Sequence, residues 1–228
     1  MSLAPPEARG PLRRERLRTA RLYLVCEALP GGRDPETLLH AALSGGVDIV
    51  QLREKQLGRE EIERAAQTFR RLCDTHSALF IVNDDPYLAQ TCGADGVHLG
   101  QDDMPVEEAR EILGPERIIG LSTHSREQLA AAASSSVDYV SVGPIWETPT
   151  KRGRPGVGLG LVEHAATHAP HPFFAIGGID PDNAAEVVAA GARRLGVVRA
   201  IRDAGDPAAV AEALRGALAP LGEAAPGA

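Results

Sequence analysis

Eight short β-branched runs, each followed by a stretch that reads as helix, constrain this chain more than any other feature. The runs are Leu22–Cys26, Asp48–Leu52, Ala78–Val82, Gly96–Leu99, Ile118–Leu121, Tyr139–Val142, Phe173–Ile176 and Arg194–Val198. The helical stretches are Pro35–Leu43, Arg59–Thr75, Pro86–Thr91, Pro105–Leu113, Arg126–Ala133, Leu161–His168, Asp182–Ala190 and Pro207–Leu218. Three of them open on Asp-Pro, at 34–35, 85–86 and 206–207. Proline suits the first helical turn, where its missing N–H has no partner to lose. A weak repeat marks the returns from helix to strand: Gly45-Gly46-Val47-Asp48, Cys92-Gly93-Ala94-Asp95, Ser136-Val137-Asp138 and Gly191-Ala192-Arg193. The alternation fills the length without spare segments, so the expected fold is an α/β single domain, a (β/α)8 TIM barrel, with a doubly wound open sheet as the fallback.

The boundaries read as an N-terminal extension over 1–20, a short helix or disordered; a barrel over 21–219; and a disordered tail over 220–228. The 228 residues suit one barrel of about 200–250 residues. The extension carries Arg9, Arg13, Arg14, Arg16 and Arg18 but no apolar stretch, so it does not read as a secretory signal. No apolar run approaches the roughly 20 residues of a membrane span. Twenty-four basic against 31 acidic residues give a net charge of −7, which disfavours nucleic acid and requires any anion site to be local. Cys26, Cys73 and Cys92 form neither a disulfide framework nor a zinc spacing; they suit a reducing, cytoplasmic setting and read as core fillers.

In such a barrel the chemistry sits where strands give way to the following loops. After the second strand, Gln51, Arg53 and Lys55 alternate toward one side as an amide and two cations, an anion clamp whose bland alternative is a solvated charged loop. Asn83-Asp84-Asp85 follows the third strand and Gln101-Asp102-Asp103 the fourth. Helix capping accounts for Asp85, yet it leaves an excess of acid at both loops, and paired carboxylates without cysteine suit Mg²⁺. Ser122-Thr123-His124 ends the fifth strand, where His124 reads first as a hydrogen-bonding rim group. The long Gly143–Gly156 connection, with Thr148, Thr150, Lys151, Arg152 and Arg154, suits a lid over an anionic substrate. Gly177-Gly178 and Val198-Arg199 follow the seventh and eighth strands, where this barrel class places a phosphate. The residues thus describe two anion sites on one face, one for a diphosphate with Mg²⁺ on Asp84 and Asp103 and one for a monophosphate at Gly178 and Arg199. No nucleophile-and-base pair is evident.

The combination of Gln51-Leu52-Arg53-Glu54-Lys55, Asn83-Asp84, Gly96-Val97-His98-Leu99-Gly100-Gln101 with Asp103, Ser122-Thr123-His124, Thr148-Pro149-Thr150-Lys151 and Ile176-Gly177-Gly178-Ile179 resembles the thiamine-phosphate synthase family, from Leu22 to about Leu218. The resemblance implies a transferase of thiamine biosynthesis that joins 4-amino-2-methyl-5-hydroxymethylpyrimidine diphosphate to hydroxyethylthiazole phosphate, giving thiamine phosphate and pyrophosphate. It implies that Gln51, Arg53, Lys55, Asn83, Ser122 and Lys151 hold the pyrimidine diphosphate, that Asp84 and Asp103 bind Mg²⁺, and that Thr148, Thr150, Gly178, Val198 and Arg199 hold the thiazole phosphate. Catalysis would be electrostatic, by Arg53, Lys55 and Lys151 with the metal: the diphosphate leaves first and the thiazole nitrogen captures a methylene cation. The implied partners are these small molecules, with no nucleic acid and no membrane. One departure is Arg199, where the family pattern has Ser. The alternatives are the related thiazole tautomerase, expected to lack the paired carboxylates and the full clamp, and a non-catalytic phosphometabolite-binding barrel.

Overall fold

The computed structural model describes residues 9–148, 153 and 155–218. Its eight strands are β1 (Leu22–Cys26), β2 (Ile49–Leu52), β3 (Leu79–Asn83), β4 (Gly96–Leu99), β5 (Ile118–Thr123), β6 (Tyr139–Val142), β7 (Phe173–Ile176) and β8 (Leu195–Val197). They form one closed parallel barrel in chain order. The seam closes with Leu22, Tyr23 and Leu24 of β1 opposite Leu195, Gly196 and Val197 of β8. The expected (β/α)8 barrel is therefore the fold.

The helices are α1 (Arg9–Thr19), α2 (Pro35–Ser44), α3 (Arg59–Thr75), α4 (Pro86–Thr91), α5 (Val106–Leu113), α6 (Arg126–Ala131), α7 (Leu159–His168), α8 (Ala184–Ala189), α9 (Arg199–Arg202) and α10 (Pro207–Ala217). The Asp-Pro openings act as caps: Asp34 accepts from the N–H of Glu36, Asp85 from Leu88 and Asp206 from Ala209. Each such cap contributes about 1 kcal/mol. The short α9, directly after β8, is absent from the sequence expectation; four residues are too few to show a period. No described helix is long and apolar enough to cross a membrane.

Strand alternation divides the core in two. Leu22, Leu24, Val50, Leu52, Phe80 and Val82 face outward and pack with Leu39, Phe69, Ala89, Val162 and Leu214 of the helices. Tyr23, Val25, Ile49, Leu79, Ile81, Ile118, Tyr139 and Phe174 fill the interior, together with Leu17 and Ala20 at the end of α1. Gly120 lets the Tyr139 ring lie inward, since a Cβ there would fall inside that ring. All three cysteines are free, Cys26 and Cys73 buried and Cys92 half-buried.

The repeat before the even-numbered strands is a latch. Asp48 accepts the N–H groups of Arg21 and Leu22 at 2.8 and 3.0 Å and pairs with Arg215 at 2.6 Å. Asp95 accepts the Phe80 N–H at 2.9 Å and pairs with Arg70 at 2.7 Å and Arg13 at 2.9 Å. Asp138 accepts the Ile119 N–H and pairs with Arg110, both at 2.8 Å. Before β8 the position holds Arg194, which donates to the Ala20 and Arg18 carbonyls at 3.1 Å each. Carboxylate and guanidinium thus secure the N-terminal end of the barrel and leave the opposite end to other work.

Candidate active site

The inward column of each strand continues upward from the apolar interior into polar residues at its C-terminal end. Gln51 stands two residues beyond Ile49, Asn83 two beyond Ile81, Ser122 beyond Gly120 and Ser141 beyond Tyr139, so strand geometry alone brings them to one level. Above them opens a cavity of about 520 Å³. Its walls include Gln51, Arg53, Lys55, Asn83, Asp84, Asp103, Ser122, Thr148, Gly178, Val198 and Arg199, so every anticipated site residue within the described segments is at one place. Thr150 and Lys151, with most of the cationic stretch of the anticipated lid, lie outside the described residues.

Two neighbouring aspartates separate at the end of β3. Asp84 has φ +63°, the left-handed region that Asp tolerates better than most residues, and its N–H donates to the His98 carbonyl at 2.9 Å. This turn lets Asp85 cap α4 while Asp84 lines the cavity. Asp103 does not cap α5, whose N-cap is Pro105; its carboxylate accepts the Gly100 N–H at 2.7 Å. Asp84 and Asp103 come within hydrogen-bond reach of each other, and the Lys55 ammonium pairs with Asp84. Burial, and next the Asp103 carboxyl, raise the Asp84 carboxyl above its ordinary range, against the pull of Lys55. Lys55, expected in the clamp alone, thus also neutralises a metal-candidate carboxylate. Arg53 forms no ion pair among the described residues.

Across the cavity, the β7 loop turns on Gly177 and Gly178, at φ +106° and +75°. A side chain at Gly177 would strike Pro144 at 2.5 Å, and one at Gly178 would meet Trp146 at 2.9 Å. The carbonyls of Ile176 and Gly177 accept from the N–H groups of Ile145 and Trp146, and the Gly178 carbonyl accepts from the Asn183 amide at 2.8 Å. With these carbonyls engaged, N–H groups are what the loop can offer an anion. Arg199 opens α9 beside it, and Asp203 is held in two contacts by Arg202 at 2.6 and 3.0 Å. His124 behaves as the anticipated rim group, its Nδ1 bonding the Gly143 carbonyl and its N–H donating to Gln128 at 2.7 Å.

The sequence reading missed the floor. Tyr23, Tyr139, His98 and Ser141 form a buried polar layer with Gln51 and Ser122. The available signal was a hydroxyl or imidazole at inward positions, otherwise apolar, near strand ends.

The thiamine monophosphate synthase family matches residues 22–201. The chain is 51% identical to the thiamine-phosphate synthase of Thermobifida fusca over 89% of its own length and 94% of that protein. It is equally identical to the one from Acidothermus cellulolyticus, across 89% and 97% of the two chains. The chain belongs to the thiamine monophosphate synthase family. Its barrel superposes on the thiamine phosphate pyrophosphorylase of Pyrococcus furiosus with a TM-score of 0.80 and 33% identity, covering 88% of this chain and 96% of that one. Family membership makes it a transferase of thiamine biosynthesis, and none of these relatives supports the tautomerase or the non-catalytic barrel.

Proposed function

We propose that the chain condenses the aminopyrimidine diphosphate with hydroxyethylthiazole phosphate, giving thiamine phosphate and releasing pyrophosphate, by substitution in which the leaving group departs first. The observation that supports this most is the approach of Asp84 to Asp103 in a cavity that also holds Arg53, Lys55 and the Gly177-Gly178 loop. Two facing carboxylates fit a small hard cation, and the described residues contain no group of three or more ligating side chains. Mg²⁺ matches that donor set, because it takes one or two carboxylates and completes its shell with phosphate oxygens and water. When bound there, Mg²⁺ would neutralise the diphosphate and ease its departure.

The chain's own groups divide the remaining work. Arg53 forks onto diphosphate oxygens, Lys55 supplies a second charge beside them, and Asn83 and Ser122 donate hydrogen bonds. Lys151 is proposed to join them, and Gln51 to hold the pyrimidine. The bond from the pyrimidine methylene carbon to the diphosphate oxygen breaks, with its electron pair leaving on pyrophosphate. The thiazole nitrogen lone pair then forms the new carbon–nitrogen bond, and no side chain need gain or lose a proton. Thr148, Thr150, Gly178, Val198 and Arg199 fix the thiazole phosphate so that its nitrogen faces that carbon.

Incubation with both substrates and Mg²⁺, with an EDTA arm, tests the proposal through oxidation of the product to fluorescent thiochrome. Product is expected only with metal; folded protein that makes none under any metal would reject the reading. Arg199→Ala is expected to raise the KM for the thiazole phosphate by ~10–100-fold, the worth of a charged hydrogen bond, with the KM for the diphosphate unchanged. Equal increases in both constants would misplace Arg199.

A further inference from the structure

The buried floor contains a chain of hydrogen bonds whose direction follows from the orientation of the Gln51 carboxamide at its start. The Gln51 Nε2 donates to the Tyr23 hydroxyl oxygen at 2.6 Å. Tyr23 meets the Tyr139 hydroxyl at 2.8 Å, and Tyr139 meets His98 Nδ1 at 3.0 Å. Both phenols are pushed far above their ordinary range, chiefly by burial, so each keeps its proton. Tyr23 receives from Gln51, whose Nε2 cannot accept, so the buried Tyr23 O–H is satisfied by donating to Tyr139. The Tyr139 O–H must then go to Nδ1, which can accept only when unprotonated. A neutral His98 therefore carries its proton on Nε2, 3.0 Å from the Ser122 hydroxyl oxygen and 3.4 Å from that of Ser141.

We propose that Tyr23, Tyr139 and His98 are positioning residues: they form a one-way chain that fixes which end of the Gln51 carboxamide faces the ligand, and so select a pyrimidine bearing an amino group over one bearing an oxo group. This rests on the synthase reading for the identity of the ligand. With Nε2 bound to Tyr23, Gln51 presents Oε1 as an acceptor together with its second N–H. That pair complements an exocyclic amine beside a ring nitrogen, as amides read adenine. A 4-oxo ring offers the reverse pattern and leaves the acceptor unmatched in a buried setting. At the other end, a hydroxyl that accepts from Nε2–H keeps its own proton to donate, which suits Ser122 to an anionic oxygen.

Two measurements test the chain. In ¹⁵N NMR at neutral pH, His98, assigned by comparison with His98→Asn, should be the Nε2–H tautomer in wild type. Gln51→Glu, which must accept from Tyr23, should reverse the chain and give the Nδ1–H tautomer. An Nδ1–H or protonated ring in wild type, or no change in Gln51→Glu, would overturn the proposal. This result stands whatever the enzyme makes. In kinetics, wild type should prefer the 4-amino over the 4-oxo pyrimidine diphosphate by ~10²-fold or more in kcat/KM. Tyr23→Phe and Tyr139→Phe, each removing one hydroxyl from a retained ring, should lower that preference at least tenfold and leave the thiazole phosphate KM unchanged. A preference kept by folded variants, or equal rises in both KM values, would also overturn it. Loss of product in every variant and in wild type, with the tautomer change intact, would instead remove the synthase reading.

Discussion

Asp84→Asn is expected to abolish thiamine phosphate formation, by ~10³-fold or more, while the metal-free protein melts at the wild-type temperature or slightly above it. Loss of one of two carboxylates removes the negative charge that would hold the cation, and asparagine occupies the same left-handed turn. Stability moves the other way because the native environment disfavours the Asp84 carboxylate, through burial and then through Asp103. A carboxyl with a raised native pKa reduces stability above its unfolded value, near 4, and the penalty disappears in acid. The amide removes that penalty at neutral pH, and the lost pairing with half-exposed Lys55 is screened by water. Asp103→Asn should lose turnover equally, since its amide oxygen can still accept from Gly100. Activity within tenfold of wild type in both variants, at saturating substrates, would reject the metal assignment.

The second large effect lies at the other end of the barrel. Asp95→Ala is expected to remove ~3–5 kcal/mol, lowering the melting temperature by roughly 6–20 °C, because it takes the buried carboxylate from both Arg13 and Arg70 and leaves Arg70 only the exposed Asp74 as a partner. Burial raises the Asp95 carboxyl, but Arg70, the Phe80 N–H and Arg13 outweigh it and hold the group below its usual range. Its contribution is therefore complete above about pH 4 and is lost as pH falls through the lower native value. Melting curves of wild type and variant should differ most at neutral pH and converge in strong acid. A constant gap across that range would show that the loss is one of packing and not of charge.

How far the sequence reading reached follows from what local pattern encodes. β-branched runs and Asp-Pro caps located the strands and, α9 aside, the helices that follow them to within a residue or two, and strand alternation placed Gln51 on one side with Arg53 and Lys55. Alternation does not say which inward residue shares a level with another strand's, because that depends on barrel stagger. Tyr23, between Leu22 and Leu24, thus carries no local sign of its polar role, and the other members of its chain, Tyr139 and His98, lie 116 and 75 positions along the sequence. Pairing of Lys55 with Asp84 is equally non-local. The turn that ends each helix of the repeat, with Gly in three of its four copies, was legible in the sequence, but the latch made by the aspartate of Gly46-Val47-Asp48, Gly93-Ala94-Asp95 and Ser136-Val137-Asp138 depends on guanidinium groups from distant helices. Asp85 and Asp84 show the limit most sharply: adjacent identical residues, one a cap and one in the cavity, separated by a single positive φ.

The Arg21 guanidinium donates to the carbonyl of Leu218 at 3.0 Å, so the entry to β1 and the exit from α10 are stitched together. Both lie at the end of the barrel that holds the aspartate latches, away from the cavity mouth. A tag, a surface linker or a whole fused domain attached beyond either described end would therefore depart from the rear of the enzyme. Immobilised by such an attachment, the molecule would present its open end to solution with the route for both substrates and for pyrophosphate unobstructed.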